Sequence, residues 1–381
     1  MTNNGAATRF CNDDVGPTAF QRVAIVGGGA WGTALALTAH RARRRVTLWA
    51  REKPVVDAVA SARRNPFLPS VELPEDIVVT DDLKAVLARS QLVVLVVPSQ
   101  HLRTIARRTE TILPGGVPVV ICSKGVEAET GLLMSQVVAE EMLGRPQAVL
   151  SGPTFAIEVA QNQPTAATVA APLDDDSFDP GHLAARIAVT FATPTFRPYL
   201  SDDVTGVEIG GAAKNVLAIA CGIAAGRGLG SNTRAALITR GLAEIMRLGR
   251  ALGARADTLS GLAGAGDLML TCSSEQSRNF SFGKAIGEGN RPSASADGPV
   301  VEGAVNARSV VRLAADLGVA MPICTAVEAI LRGDCVDAAI QKLMTSDLRA
   351  EAHAHEDGDR IRHPACWRNA TERNREGVVS V

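Results

Sequence analysis

The sequence predicts an α/β protein, with a doubly wound sheet in its N-terminal part and only helices after it. Three observations predict this. A G-x-G-x-x-G turn lies between an apolar run and a helix-patterned segment near the start; short β-branched runs then alternate with helical segments to about residue 200; and helical periodicity alone follows. Together they specify an N-terminal Rossmann-type doubly wound sheet with a C-terminal all-α substrate domain. The length of 381 residues also exceeds what one hydrophobic core usually serves.

Taken in order, residues 1 to 20 are polar and aperiodic and are expected to form a flexible arm. "RVAIVGGGAWGTALALTAHRARRRVTLWARE" then reads strand, glycine-rich turn, helix, strand, which is one βαβ unit. Further strands are expected at "LVVLVVP" (92 to 98), "PVVICSKG" (118 to 125), "AVLSGP" (148 to 153) and "PTAATVAA" (164 to 171). Fully apolar strands alternating with helices imply a parallel sheet covered on both faces. The acidic "PLDDDSFDPG" (172 to 181) reads as a surface loop. In "SNTRAALITRGLAEIMRLGRALG" the residues Ile238, Leu242, Ile245 and Met246 fall on one helical stripe, with Ser231 or Asn232 as its cap. The charged stretch from Ser346 carries few apolar residues. The expected organisation is therefore an arm (1–20), a dinucleotide-binding domain (21–200), a helical substrate domain (201–345) and a mobile polar tail (346–381).

Composition excludes several partners. Aromatics make up 3% of the chain against 35 glycines, and the formal net charge is -1. Neither stacking platforms nor surplus positive charge are on offer to a nucleic acid. Seven cysteines are scattered without a C-x-x-C pair, which points to free thiols in a reducing compartment and to no metal site. The start lacks the pattern of a signal peptide, and no apolar stretch reads as long enough to cross a bilayer. A cytoplasmic location without membrane insertion is the expectation.

Gly27, Gly29 and Gly32 form the G-x-G-x-x-G turn. The first permits the tight turn, the second lets a pyrophosphate reach the backbone, and the third lets helix and strand pack closely. The following helix N-terminus faces the negative charge. The alternative is a tight turn with no ligand. At the end of the second strand an acid would hold a ribose hydroxyl and an arginine would accept a 2′-phosphate. Arg51 leans toward NADP and Glu52 keeps NAD open; Arg51 could equally be a solvated surface charge.

A series of longer motifs runs from about residue 22 to 335: "GGGAWGTALA", "VVPSQHLR", "CSKGVE", "SGPTFAIEVA", "GGAAKNVLAIACGIAAG", "NTRAALITRGLAE", "GLAGAGDLMLTC", "SRN" and "VVEG". On these the sequence resembles the bacterial NAD(P)-dependent sn-glycerol-3-phosphate dehydrogenases, which interconvert glycerol 3-phosphate and dihydroxyacetone phosphate. The resemblance implies that Lys214 is the catalytic proton donor and acceptor. It implies substrate contacts from Lys124, Gly152, Thr154, Asp267, Ser277, Arg278 and Asn279. Ala30, Trp31, Lys124, Ala156, Arg278, Val300 and Glu302 match positions near the cofactor. A homodimer built through the helical domain, and a role in supplying glycerol phosphate for membrane lipids, are likewise implied. Phe280 after "SRN" and Cys324 in "PICT" depart from the pattern.

The chemistry of the residues is consistent with that assignment. Reducing a ketone by hydride transfer places charge on the carbonyl oxygen, so a proton donor and a second cation are needed beside it. A lysine among small residues near a helix start, with another cation close by, is pushed toward its neutral form. Lys214 fits this, with Lys124 assisting; the bland alternative is a lysine whose stem snorkels to water. Arg278, with Ser277 and Asn279, suits a phosphate; otherwise Arg278 is a surface ion pair. Asp267 either orients Lys214, accepts from a substrate hydroxyl, or caps the next helix. His101 reads as a loop histidine, and Cys122 and Cys272 are assigned no role.

Two other readings compete. A second β-hydroxyacid-type dehydrogenase of the same plan would usually carry an asparagine one helical turn after the lysine, whereas here Asn215 follows Lys214 directly and residue 218 is alanine. A non-catalytic sensor of the cofactor ratio would have a damaged proton-transfer residue, yet Lys124, Lys214 and Arg278 are all present.

Overall fold

The computed structural model describes residues 16–173, 178–290, 292 and 300–345. Most of the expected arm (1–15), the middle of the acidic insert (174–177) and the expected tail from 346 lie outside the described residues.

Strand and helix alternate through β1 (Arg22–Val26), α1 (Ala30–Arg41), β2 (Arg45–Trp49) and α2 (Lys53–Ala62). A hairpin of β3 (Arg64–Asn65) and β4 (Leu68–Glu72) precedes β5 (Val78–Thr80) and α3 (Leu83–Leu87). Next come β6 (Leu92–Leu95), α4 (Leu102–Glu110), β7 (Val119–Ile121), α5 (Met134–Glu141) and β8 (Gln147–Ser151). Then follow α6 (Ala156–Ala160), β9 (Thr165–Ala170), α7 (Leu183–Phe191) and β10 (Phe196–Ser201). From Val204 the described chain is helical: α8 (Val204–Gly226), α9 (Ser231–Ala251), α10 (Ala256–Ser260), α11 (Asp267–Ser273), α12 (Arg278–Gly287) and α13 (Glu302–Asp316). α14 (Pro322–Arg332) and α15 (Val336–Met344) complete it. Described residues up to Glu328 form one compact unit, and a second begins at Ala329.

The main sheet has the order β10-β9-β8-β7-β6-β1-β2-β5. Because side chains alternate across a strand, each central strand feeds two cores. Val23 and Ile25 of β1 pack with α1 and α7 on one face, while Ala24 and Val26 pack with α3, α4 and α5 on the other. Burial on both faces is why these strands read as unbroken apolar runs.

The sheet is mixed rather than wholly parallel. β9 pairs antiparallel with β8, and β10 follows β9 in parallel. An apolar run carries no mark of its direction; the link from β8 returns the chain along the same edge after only the short α6. The edge strands β5 and β10 escape sequence reading. One has three residues and the other includes Arg197 and Pro198.

Three further expectations change. Phe20, at the end of the supposed arm, is buried, and its N–H donates to Thr190 Oγ1 at 2.9 Å. α9 begins after Gly230 with no side-chain cap, and of its stripe Ile245 is buried while Ile238, Leu242 and Met246 are half-buried. α8 is long and apolar enough to cross a membrane, yet 89% of that stretch is buried inside the protein. It is a core helix. A Cβ at Gly222 would lie 2.0 Å from Phe280 O, and one at Gly283 would lie 2.2 Å from Ile219 O, so α8 and α12 pack backbone to backbone.

Candidate functional site

The glycine turn follows β1 directly. Gly27 has φ +133°, and a Cβ there would lie 2.2 Å from Val96 O; a Cβ on Gly32 would lie 1.9 Å from Gly27 O. Both glycines are demanded by the fold itself. Gly29 is different, because a Cβ there would meet no protein atom within 4 Å. Its smallness keeps open the space in front of α1, whose N-terminus has no side-chain cap. That leaves first-turn N–H groups, Ala30 and Trp31 among them, for an anion. The cradle fits a pyrophosphate. Ala30, Trp31 and Ala156 pack on the same hydrophobic cluster, which brings these three expected cofactor neighbours together. Arg51, exposed, and Glu52, half-buried, past the end of β2, pair with each other, Nη2 to Oε1 at 2.8 Å. The two charges that would choose between NADP and NAD therefore offset one another. His101 lies exposed in a one-turn helix before α4.

The lysines converge on one carboxylate. Lys214 Nζ lies 2.5 Å from Asp267 Oδ1 and 3.0 Å from Thr271 Oγ1, and Lys124 Nζ lies 2.7 Å from Asp267 Oδ2. All three side chains are largely withdrawn from solvent, Asp267 almost completely. Lys214 stands in the middle of α8, not near a helix start, so the helix terminus does not act on it. Asp267 opens α11, which lacks a side-chain cap; its carboxylate is taken by the ammonium groups instead. Gly211 faces the Lys124 stem, with a Cβ reaching 3.3 Å from its Cδ and from Ser151 Oγ. That hydroxyl is buried and has no hydrogen-bond partner among the described residues.

Burial pulls the Lys214 ammonium down to about 8, with the Lys124 charge acting the same way and Asp267 opposing both. Burial also works against charged Lys124, but the Asp267 charge and hydrogen bond outweigh it and hold that ammonium above its ordinary value. Burial likewise opposes ionised Asp267, and the two ammoniums overcome it and keep the carboxyl below its usual range. One lysine is thus poised to exchange protons and the other stays charged. Burial pushes the Cys122 thiol up to about 12, and the hydrogen bond with Cys221, with burial, raises Cys272, which leaves both inert.

Around this centre runs an amide network. Asn215 Nδ2 donates to Glu302 Oε2 at 3.2 Å, Asn279 Nδ2 to Asn215 Oδ1 at 2.9 Å, and Gly303 N to Asn279 Oδ1 at 2.8 Å. Burial raises the Glu302 carboxyl against the charges of Arg278, Lys124 and Lys214. Ser277 caps α12, accepting from Phe280 N. Two members of the expected phosphate-binding trio are therefore engaged in holding the fold, and Arg278 alone presents an exposed side chain. Gly152, at φ +156°, and Thr154, whose hydroxyl donates to Gly152 O at 3.3 Å, shape the turn after β8. Val300 and Glu302 lead into α13.

Several residues of the centre are missed by sequence reasoning. Thr271 had a signal, since it lies four residues after Asp267 on one helix face. Asn306 had none. It is buried on α13, donates Nδ2 to Lys124 O at 3.1 Å and accepts from Ser99 Oγ at 3.2 Å, across 182 and 207 residues of sequence.

A helix N-terminus open to a pyrophosphate after the first strand, together with a buried lysine pair on one carboxylate, defines a class: a dinucleotide-dependent oxidoreductase. Residues 22–177 match the family model described as NAD-dependent glycerol-3-phosphate dehydrogenase N-terminus, and residues 203–341 match its C-terminus. The chain belongs to that family. It is 52% identical over 333 residues to the glycerol-3-phosphate dehydrogenase (NAD(P)+) of Rhodospirillum rubrum, covering 86% of this chain and 93% of that one. With the enzyme of the same name from Bradyrhizobium sp. strain BTAi1 it shares 52% over 335 residues, covering 88% and 99%. Among solved structures, glycerol-3-phosphate dehydrogenase from Coxiella burnetii superposes with a TM-score of 0.80 at 40% identity, covering 85% of this chain and 98% of that one. A ketopantoate reductase from Ralstonia eutropha shares the fold alone, at 18% identity and a TM-score of 0.56 over 85% and 99% of the chains. The competing β-hydroxyacid-type reading is not favoured.

Proposed function

We propose that this chain catalyses the reversible NAD(P)-dependent reduction of dihydroxyacetone phosphate to sn-glycerol 3-phosphate. The observation that carries the reading is the sharing of Asp267 by Lys214 and Lys124, one poised to exchange protons and the other held charged. When bound, the nicotinamide supplies hydride in one direction and takes it up in the other. Lys214 protonates the carbonyl oxygen during reduction and accepts the hydroxyl proton during oxidation. Lys124 stabilises the developing alkoxide, and Asp267 fixes both lysines. Arg278 anchors the substrate phosphate in a setting that Ser277 and Asn279 keep rigid, while Gly152 and Thr154 contact the substrate.

Gly27, Gly29, Ala30, Trp31 and Gly32 hold the pyrophosphate, and Arg51 or Glu52 meets the adenosine ribose. Ala156, Val300 and Glu302 complete the cofactor's side. In this reading residues 21–200 serve the cofactor and 201–345 the substrate, in a cytoplasmic homodimer that supplies glycerol phosphate for phospholipids. A spectrophotometric assay with purified protein, dihydroxyacetone phosphate and each reduced dinucleotide tests the proposal. Oxidation of at least one dinucleotide that depends on the ketone phosphate is the expected result. Neither being oxidised would overturn the reading.

A further inference from the structure

At the opposite end of β1 from the glycine turn lies a second feature that the reaction does not use. A concavity of about 840 Å³ is lined by Arg22, Arg43, Arg44, Arg45 and Arg89. The one acid in its lining, Asp76, is held by His40, Nε2 to Oδ1 at 2.9 Å. The whole chain carries a formal charge of -1, so this is a local concentration of positive charge and not a general surplus.

Two details show that the fold maintains the cluster against its own preferences. The parallel register makes Arg22 and Arg45 direct partners on β1 and β2, and like charges side by side on neighbouring strands repel. Arg43, just past the end of α1, adopts φ +64°, a left-handed conformation that glycine enters freely and arginine does not. No hydrogen bond or ion pair of the Arg43 side chain with a described residue accounts for its presence there.

The cluster is also partly ordered in advance. Arg22 Nε donates to Arg89 O at 2.5 Å, and Arg44 donates to Thr190 O, Val189 O and Gln21 Oε1 at 3.2–3.3 Å. The bond of Arg22 orients its guanidinium and leaves its terminal nitrogens for another acceptor, whereas all three guanidinium nitrogens of Arg44 are committed to Gln21, Val189 and Thr190. Arg43, Arg45 and Arg89 add three more guanidinium forks, and such forks match phosphate and carboxylate geometry.

We infer that this concavity is a binding site for a small polyanion carrying two or more phosphate or carboxylate groups. Arg22, Arg43, Arg45 and Arg89 gathered at one half-open depression suit a ligand that presents several anionic groups at once. It is separate from the cofactor cradle, because β1 runs from Arg22 to Val26 and spans about 13 Å at 3.3 Å per residue.

The test titrates tripolyphosphate, by calorimetry at fixed salt, into the full chain saturated with oxidised dinucleotide and dihydroxyacetone phosphate, a pair that fills the catalytic site and cannot exchange hydride. One binding event is expected. Arg43→Gly should weaken it about tenfold, the value of one charge-assisted fork, yet raise Tm because the left-handed strain is relieved. Arg45→Gln with Arg89→Gln should weaken it roughly a hundredfold on the same scale, with turnover unchanged. Arg278→Gln should leave it unaltered. Binding that vanishes in Arg278→Gln or under saturation would locate the anion in the catalytic site and overturn the inference. So would wild-type affinity in the Arg43, Arg45 and Arg89 variants. Binding confined to phosphatidylglycerol vesicles, with none to tripolyphosphate, would replace it with a membrane surface.

Discussion

Lys214 Nζ lies 2.5 Å from Asp267 Oδ1, on a carboxylate whose other oxygen holds Lys124. Lys214→Ala should lower kcat by roughly 10²- to 10⁴-fold, the usual worth of a positioned proton-transfer group. Retention of turnover within about tenfold of wild type would remove the role. In the proposed role the same lysine should set the pH profile, because burial pulls its ammonium down to about 8. Reduction needs it protonated and should fall as pH rises through that value; oxidation needs it neutral and should rise. Initial rates in both directions check the opposed profiles.

Arg278 presents the exposed guanidinium of the site. Arg278→Gln should reduce kcat/KM for dihydroxyacetone phosphate by about 10²-fold or more, the value of a charged hydrogen-bond pair or two. Its effect on unphosphorylated dihydroxyacetone should be small. Equal losses on both ketones would show that Arg278 does not read the phosphate.

Gly29 and Gly32 make a controlled pair. A Cβ at Gly29 meets no protein atom, so Gly29→Ala should leave Tm within a degree or two of wild type while weakening dinucleotide binding by tenfold or more, as expected if the pyrophosphate approaches that backbone. A Cβ at Gly32 would sit 1.9 Å from Gly27 O, so Gly32→Ala should cost the fold itself. Thermal melts and dinucleotide titrations of the two variants distinguish these outcomes.

Glu208 is a buried carboxylate on α8 that accepts from Ser135 N at 2.7 Å and Ser135 Oγ at 2.5 Å, across to the start of α5. Burial raises its carboxyl to about 7, against an ordinary value of 4.5. Between those values the folded chain keeps a proton that the unfolded chain has released. Its contribution is therefore complete below about 4.5 and is lost as pH rises to about 7. Glu208→Gln should gain on wild type across that window by up to about 3 kcal/mol and show a flat difference above it. A difference in Tm that does not vary with pH would refute this.

The sequence by itself determined the glycine turn, the apolar central strands and the change from strands to helices near residue 200, because each rests on local periodicity and on residues within one turn of each other. Charge within a small or apolar stretch also singled out Lys214 and Asp267, while Lys124 and Arg278 came forward through the resemblance of their motifs to the family's. Only the tertiary structure decided that Asp267 serves both lysines rather than capping α11, and that Ser277 and Asn279 are engaged within the protein. It alone placed Asn306 under the Lys124 backbone and set β9 antiparallel to β8. These relationships join residues far apart in the chain, and neither side-chain period nor spacing encodes which distant groups share a hydrogen bond or which way a returning strand runs.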